Sequence, residues 1–130
     1  MVQIDGYTLV RQDRKGGGGG AALYVRNTHK VKILEKSNTT KTDECNEPEP
    51  QPEYLMCSVQ QGNSFPVFVA VAYRPPHVGL YANGLDEHLR SCREEFSHKI
   101  IMSDFNADLK RPDAETRALL NFIDKHSLKV

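Results

Sequence analysis

At 130 residues the chain is one domain or less, and equal numbers of Lys+Arg and Asp+Glu, 17 each, leave no global field to draw it onto nucleic acid. No run approaches the roughly 20 apolar residues that span a bilayer, and the start MVQIDGYTLV lacks the basic flank and apolar stretch of a signal peptide. Cys45, Cys57 and Cys92 are too few and too spread for a disulfide framework or a zinc knuckle, so the expectation is an intracellular protein, nuclear or cytoplasmic and not secreted, with reduced thiols and no membrane partner.

In chain order, Tyr7 to Arg11 alternates weakly. After a glycine run, Ala21 to Asn27 sets Leu23 and Val25 against Tyr24 and Arg26, the period of a strand. VKIL (Val31 to Leu34) follows a turn at Asn27 and Thr28. Leu23, Val25, Val31 and Ile33 are therefore expected on one face of an antiparallel hairpin. Residues 35–53 are polar, with Pro48, Pro50 and Pro52 among acidic and amide residues, and read as a surface loop. YLMCSVQ (Tyr54 to Gln60) and PVFVAVAY (Pro66 to Tyr73) predict a central strand pair, the second buried on both faces. Pro75 and Pro76 end it, since proline has no amide to continue a ladder.

Leu85, Leu89, Cys92 and Phe96 recur at four, three and four, which predicts one amphipathic helix over a sheet. KIIM (Lys99 to Met102) predicts a short buried strand that gives way to the polar Ser103-to-Asp113 stretch. A last helix begins near Ala114, entered through Pro112 and Asp113, with Leu119, Phe122, Ile123 and His126 toward the core. Strand, helix, strand, helix is an α/β (α+β) order.

Polar residues just past a strand's carboxyl end are where α/β proteins place ligand sites. Asp104 and Asn106, two apart after KIIM, can point together into a cleft. A carboxylate to orient water and a neutral donor for a phosphoryl oxygen are what attack on a phosphodiester requires. Tyr73 and Arg74 end the neighbouring apolar strand and reach the same rim if the two strands are adjacent and parallel, where phenol and guanidinium can bind phosphate. Each group also has an ordinary reading: turn residues bonding their own backbone, a tyrosine packed on a helix, a solvated arginine. Gly16 to Gly20 precedes a strand rather than a helix and lacks the Lys-Ser/Thr pair of a phosphate loop, so it reads as a β-connection in which glycine permits positive φ and close backbone approach. Arg11, Arg14 and Lys15 before it can grip phosphates or form a solvated face. The five histidines show no metal-ligand spacing, and most are expected to face solvent.

Taken in order, GYTLVRQDRKGGGGGAALYVRN, FVAVAYRPP, a covering helix and IIMSDFNADL resemble the endonuclease domain of LINE-type non-LTR retrotransposons, in the endonuclease/exonuclease/phosphatase superfamily. The resemblance covers nearly all of the chain and the middle of that domain, so residues 1–130 are expected to form a partial domain. It implies a DNase I-like four-layer sandwich, two packed β-sheets flanked by helices. It further implies a Mg-dependent DNA endonuclease in which Asp104 and Asn106 match the Asp and Asn of a G-D-F-N motif and Tyr73 matches the active-site tyrosine. Arg14 would lie near the DNA backbone, with Arg11 and Arg74 as further phosphate contacts. No small-molecule cofactor is implied. Ser103 stands where the family has glycine, a tolerable change if φ there is negative. The family's metal-binding glutamate would precede Met1 and its Ser-Asp-His motif would follow Val130, and Glu53 comes too early in the order to replace that glutamate. Weak or absent activity of this chain alone is therefore expected, as is self-association through exposed sheet edges. The alternative is a non-catalytic nucleic-acid or protein interaction module that keeps the fold.

Overall fold

The computed structural model describes residues 2–13, 20–37, 53–73, 85–91, 95–104, 108–111 and 113–130. Six strands and two helices make a mixed α/β fold with two sheets: β1 (Tyr7–Asp13), β2 (Gly20–Arg26), β3 (His29–Lys36), β4 (Glu53–Gln61), β5 (Val67–Tyr73), α1 (Leu85–Ser91), β6 (Lys99–Asp104) and α2 (Ala114–Lys125). β1 and β2 form an antiparallel pair, and the larger sheet runs β3-β4-β5-β6. Its first three strands are antiparallel, whereas β5 and β6 are parallel and joined through α1.

The larger sheet is buried on both faces by different partners, which is why β4 and β5 are its most apolar strands. On one face Leu55 and Cys57 of β4 pack against Val10 and Ala21 of the small sheet, with Val31, Val59 and Val71 around them. On the other, Met56, Phe68, Ala70 and Ala72 meet Leu89 of α1, Phe96 and Phe122 of α2. The result is three layers: two strands, four strands, helices. Phe68 and Phe96 make an edge-to-face contact with centroids 5.7 Å apart.

Several expectations hold in type but shift in detail. The central pair β4-β5 and the entry of α2 fall where the sequence puts them: Asp113 caps α2, its carboxylate accepting from the Thr116 amide at 2.8 Å. Leu119, Phe122 and His126 are buried. The hairpin of β2 with β3 does not form. β2 is paired along its whole length with β1, and β3 with β4. The turn at Asn27 and Thr28 thus carries the chain from one sheet to the other. The physical reason is that β4 must be covered by a strand on each side, and β3 is the one available. A bulge between Ile33 and Glu35 lets Leu34 reach the helical core while Ile33 stays exposed.

The helix expected from Leu85 through Phe96 ends at Ser91. Phe96 is buried beyond it and joins the same core, and Cys92 lies outside the described residues. β6 is an edge strand among the described residues, with Ile100 and Met102 exposed, so KIIM is buried on one face only. The loop expected over 35–53 is narrower at both ends, since Glu35 and Lys36 belong to β3 and Glu53 to β4. Residues 38–52 lie outside the described residues. No helix among the described residues is long and apolar enough to cross a membrane. Cys57 is buried as a free thiol, its acidity weakened by desolvation.

Candidate functional site

Three strands of the larger sheet finish or begin at one end of the molecule. β5 ends at Tyr73 and β6 at Asp104, and parallel pairing puts Tyr73 directly opposite Asp104. β4 starts there in the opposite direction, and Glu53 is the antiparallel partner of Tyr73. Because paired residues project to the same side of a sheet, Glu53, Tyr73 and Asp104 form one row across β4, β5 and β6. The row lies on the face turned toward the small sheet, continuing the alternation of Leu55 and Val71. Neighbouring strands are about 4.8 Å apart, so Glu53 and Asp104 flank Tyr73 at roughly 5 Å each along the backbone. Asp104 is exposed, Tyr73 half-buried and Glu53 buried.

The small sheet closes over this end through polar links. The Gly20 amide donates to Glu53 Oε2 at 3.1 Å, Gln12 Nε2 donates to the Ser37 carbonyl at 2.7 Å, and Lys36 Nζ donates to the Arg11 carbonyl at 2.8 Å. Gly20 has φ +122°, and a Cβ there would stand 2.6 Å from the Gln12 carbonyl oxygen, so the last glycine of the run serves a positive φ and a close approach. Asp13 and Gly20, which flank residues 14–19, are register partners at the same rim.

The sequence-derived candidates divide into two groups. Tyr73 and Asp104 come together. Asn106, Arg14 and Arg74 lie outside the described residues, as does Lys15. Arg11 is on β1, where its guanidinium meets the Asp13 carboxylate at 2.7–2.9 Å. This hydrogen-bonded pair holds the Asp13 carboxyl below its ordinary range. To contact a phosphate, Arg11 must give up or share that partner.

Glu53 is the member of the row that sequence order had set aside. Its signal was available: an acidic residue at the head of an apolar strand, two and four positions before Leu55 and Cys57, is forced onto their buried face by strand periodicity. His126 also departs from the expectation that most histidines face solvent. Its ring is buried and lies 2.7 Å from Asp86 Oδ1, joining the end of α2 to the start of α1.

No three histidine, cysteine, aspartate or glutamate side chains cluster among the described residues as a metal cage. The row nevertheless offers only oxygen donors, and Mg²⁺ binds through one or two carboxylates together with water and substrate phosphate oxygens. Asp104 suits that kind of attachment. Family models, curated proteins and solved structures give no match to this chain.

Proposed function

We propose that the chain carries part of a Mg-dependent phosphodiesterase that nicks DNA, of the endonuclease/exonuclease/phosphatase kind, with its two sheets and helices forming part of a DNase I-like four-layer sandwich. The observation that carries this reading is the juxtaposition of Tyr73 and Asp104 as register partners at the carboxyl ends of adjacent parallel strands. In this reading Asp104 orients or activates the attacking water. The Tyr73 hydroxyl and the Asn106 amide donate to phosphate oxygens. Arg14, Arg74 and, once released from Asp13, Arg11 contact the DNA backbone. A bound Mg²⁺, attached through Asp104, would supply stabilisation of phosphoryl charge.

The alternative, a binding module without catalysis, is favoured by one fact: the described residues supply no carboxylate cluster able to hold a metal unaided. Nicking of supercoiled plasmid separates the two. The phosphodiesterase reading expects slow Mg-dependent nicking by the chain, reduced about 10²-fold or more by Asp104→Ala, as loss of a positioned acid-base group does. Tyr73→Phe should reduce it less. Nicking that persists undiminished in Asp104→Ala overturns the reading. DNA binding with no nicking at any Mg²⁺ concentration favours the module.

A further inference from the structure

We propose that Glu53 is a positioning residue of the Tyr73–Asp104 site, where its charge sets the side of Tyr73 from which a phosphodiester approaches; this rests on the phosphodiesterase reading. Glu53 is only 8% exposed, and a buried carboxylate is expensive unless it is bonded and used. Every other residue on that face of β4 that meets the small sheet is apolar or a thiol: Leu55, Cys57 and Val59. If Glu53 served only to hold the Gly20 amide, a neutral glutamine would do so equally well at lower desolvation cost.

A carboxylate, however, sits directly across from Tyr73 in an antiparallel pair, where partner Cβ atoms stand about 4.5–5.5 Å apart. Its negative charge makes that side of the phenol unfavourable for an anion. The other side, where the exposed Asp104 can carry a cation, is left as the favourable approach. The bond to Gly20 fixes the small sheet against the same rim, so the carboxylate keeps one position relative to Tyr73.

Glu53→Gln isolates the charge, since the amide oxygen still accepts from Gly20. The measurements are the Kd of a short DNA duplex, nicking kinetics and thermal stability, with Asp104→Ala alongside. Glu53→Gln is expected to keep its melting temperature and to bind duplex several-fold more tightly, most clearly at low salt, because a like charge near the phosphate is gone. Its kcat should fall about 10- to 100-fold as the phosphate settles off its productive position, giving a joint fall of KM and kcat. A purely structural Glu53 would leave both parameters unchanged in the glutamine variant, and unchanged or weakened duplex binding overturns the proposal even if nicking is too slow to follow. Loss of nicking in Asp104→Ala with an unaltered Glu53→Gln sinks the role of Glu53 alone, whereas undiminished nicking in Asp104→Ala sinks the site.

Discussion

Ser103 pairs with Ala72 in the parallel ladder of β5 and β6 and turns its side chain away from the Tyr73–Asp104 row. Its Oγ is buried and has no hydrogen-bond partner among the described residues. The backbone is extended there, and Ser127 is the one non-glycine residue with positive φ among those described, so the position asks nothing of glycine's freedom. The serine is therefore tolerated sterically where the resembling family has glycine, yet its hydroxyl gives up solvation without return. Ser103→Ala is expected to stabilise the fold by about 1 kcal/mol, the low end of the penalty for an unsatisfied buried hydroxyl. Chemical denaturation of the two proteins measures it. A less stable alanine variant would mean that the hydroxyl has found a partner. Arg11 teaches the complementary lesson at this scale: its type and position in a basic cluster suggested phosphate binding, but the carboxylate two residues on, Asp13, lies on the same face of the strand and takes the guanidinium first.

At the scale of elements, α1 and α2 are joined by a charged cluster centred on Asp86. Lys125 Nζ approaches it at 2.9 Å, His126 Nε2 at 2.7 Å and Arg90 at 3.5 Å. Partial burial pushes the Asp86 carboxyl up, but the hydrogen bonds from Lys125 and His126 and the charges of Lys125 and Arg90 outweigh it and hold the carboxyl below its ordinary value. A carboxyl depressed on folding contributes stability that is fully present above its unfolded value, about pH 4, and is lost as pH falls through the lower folded value. Asp86→Asn should therefore destabilise the protein at neutral pH, and the gap to the parent should close in acid below about pH 4. Stability measured across pH tests this, and a gap independent of pH would rule out the charge. The sequence could not reveal this cluster, because Asp86 and His126 are 40 residues apart and each looks like an ordinary helix residue alone. What was legible is local: strand periodicity in β4 and β5, the Asp113 cap, the polar rim after KIIM. What was not legible is non-local pairing. The turn at Asn27 and Thr28 looks like a hairpin turn from its residues, and only the demand of β4 for a neighbour sends β3 into the other sheet. The same demand decided the site: the row of Glu53, Tyr73 and Asp104 exists only through registers that no single segment encodes.

For the whole molecule, the question is how the open sides of the larger sheet are protected. The β3 edge carries exposed Lys30 and Lys32 and a bulge, three ordinary defences against strand addition. The β6 edge differs. The small sheet lies over β4 and β5, and Ile100 and Met102 on the same face of β6 remain 50% and 45% exposed. Next to them the outer backbone of β6 has no neighbouring strand among the described residues. An apolar strip beside a free ladder invites a second strand, because association would bury side chains and satisfy backbone groups together. We expect the chain to self-associate as its concentration rises, seen as a shift to larger species in sedimentation velocity. Ile100→Lys combined with Met102→Lys should return it to a monomer at concentrations where the parent is associated. Both side chains are half-exposed already, so the double variant should keep its melting temperature. The neutral net charge strengthens the expectation, since little long-range repulsion holds copies apart. A parent chain that remains monomeric up to high concentration, with a sharp thermal transition, would show that this edge is covered by other means.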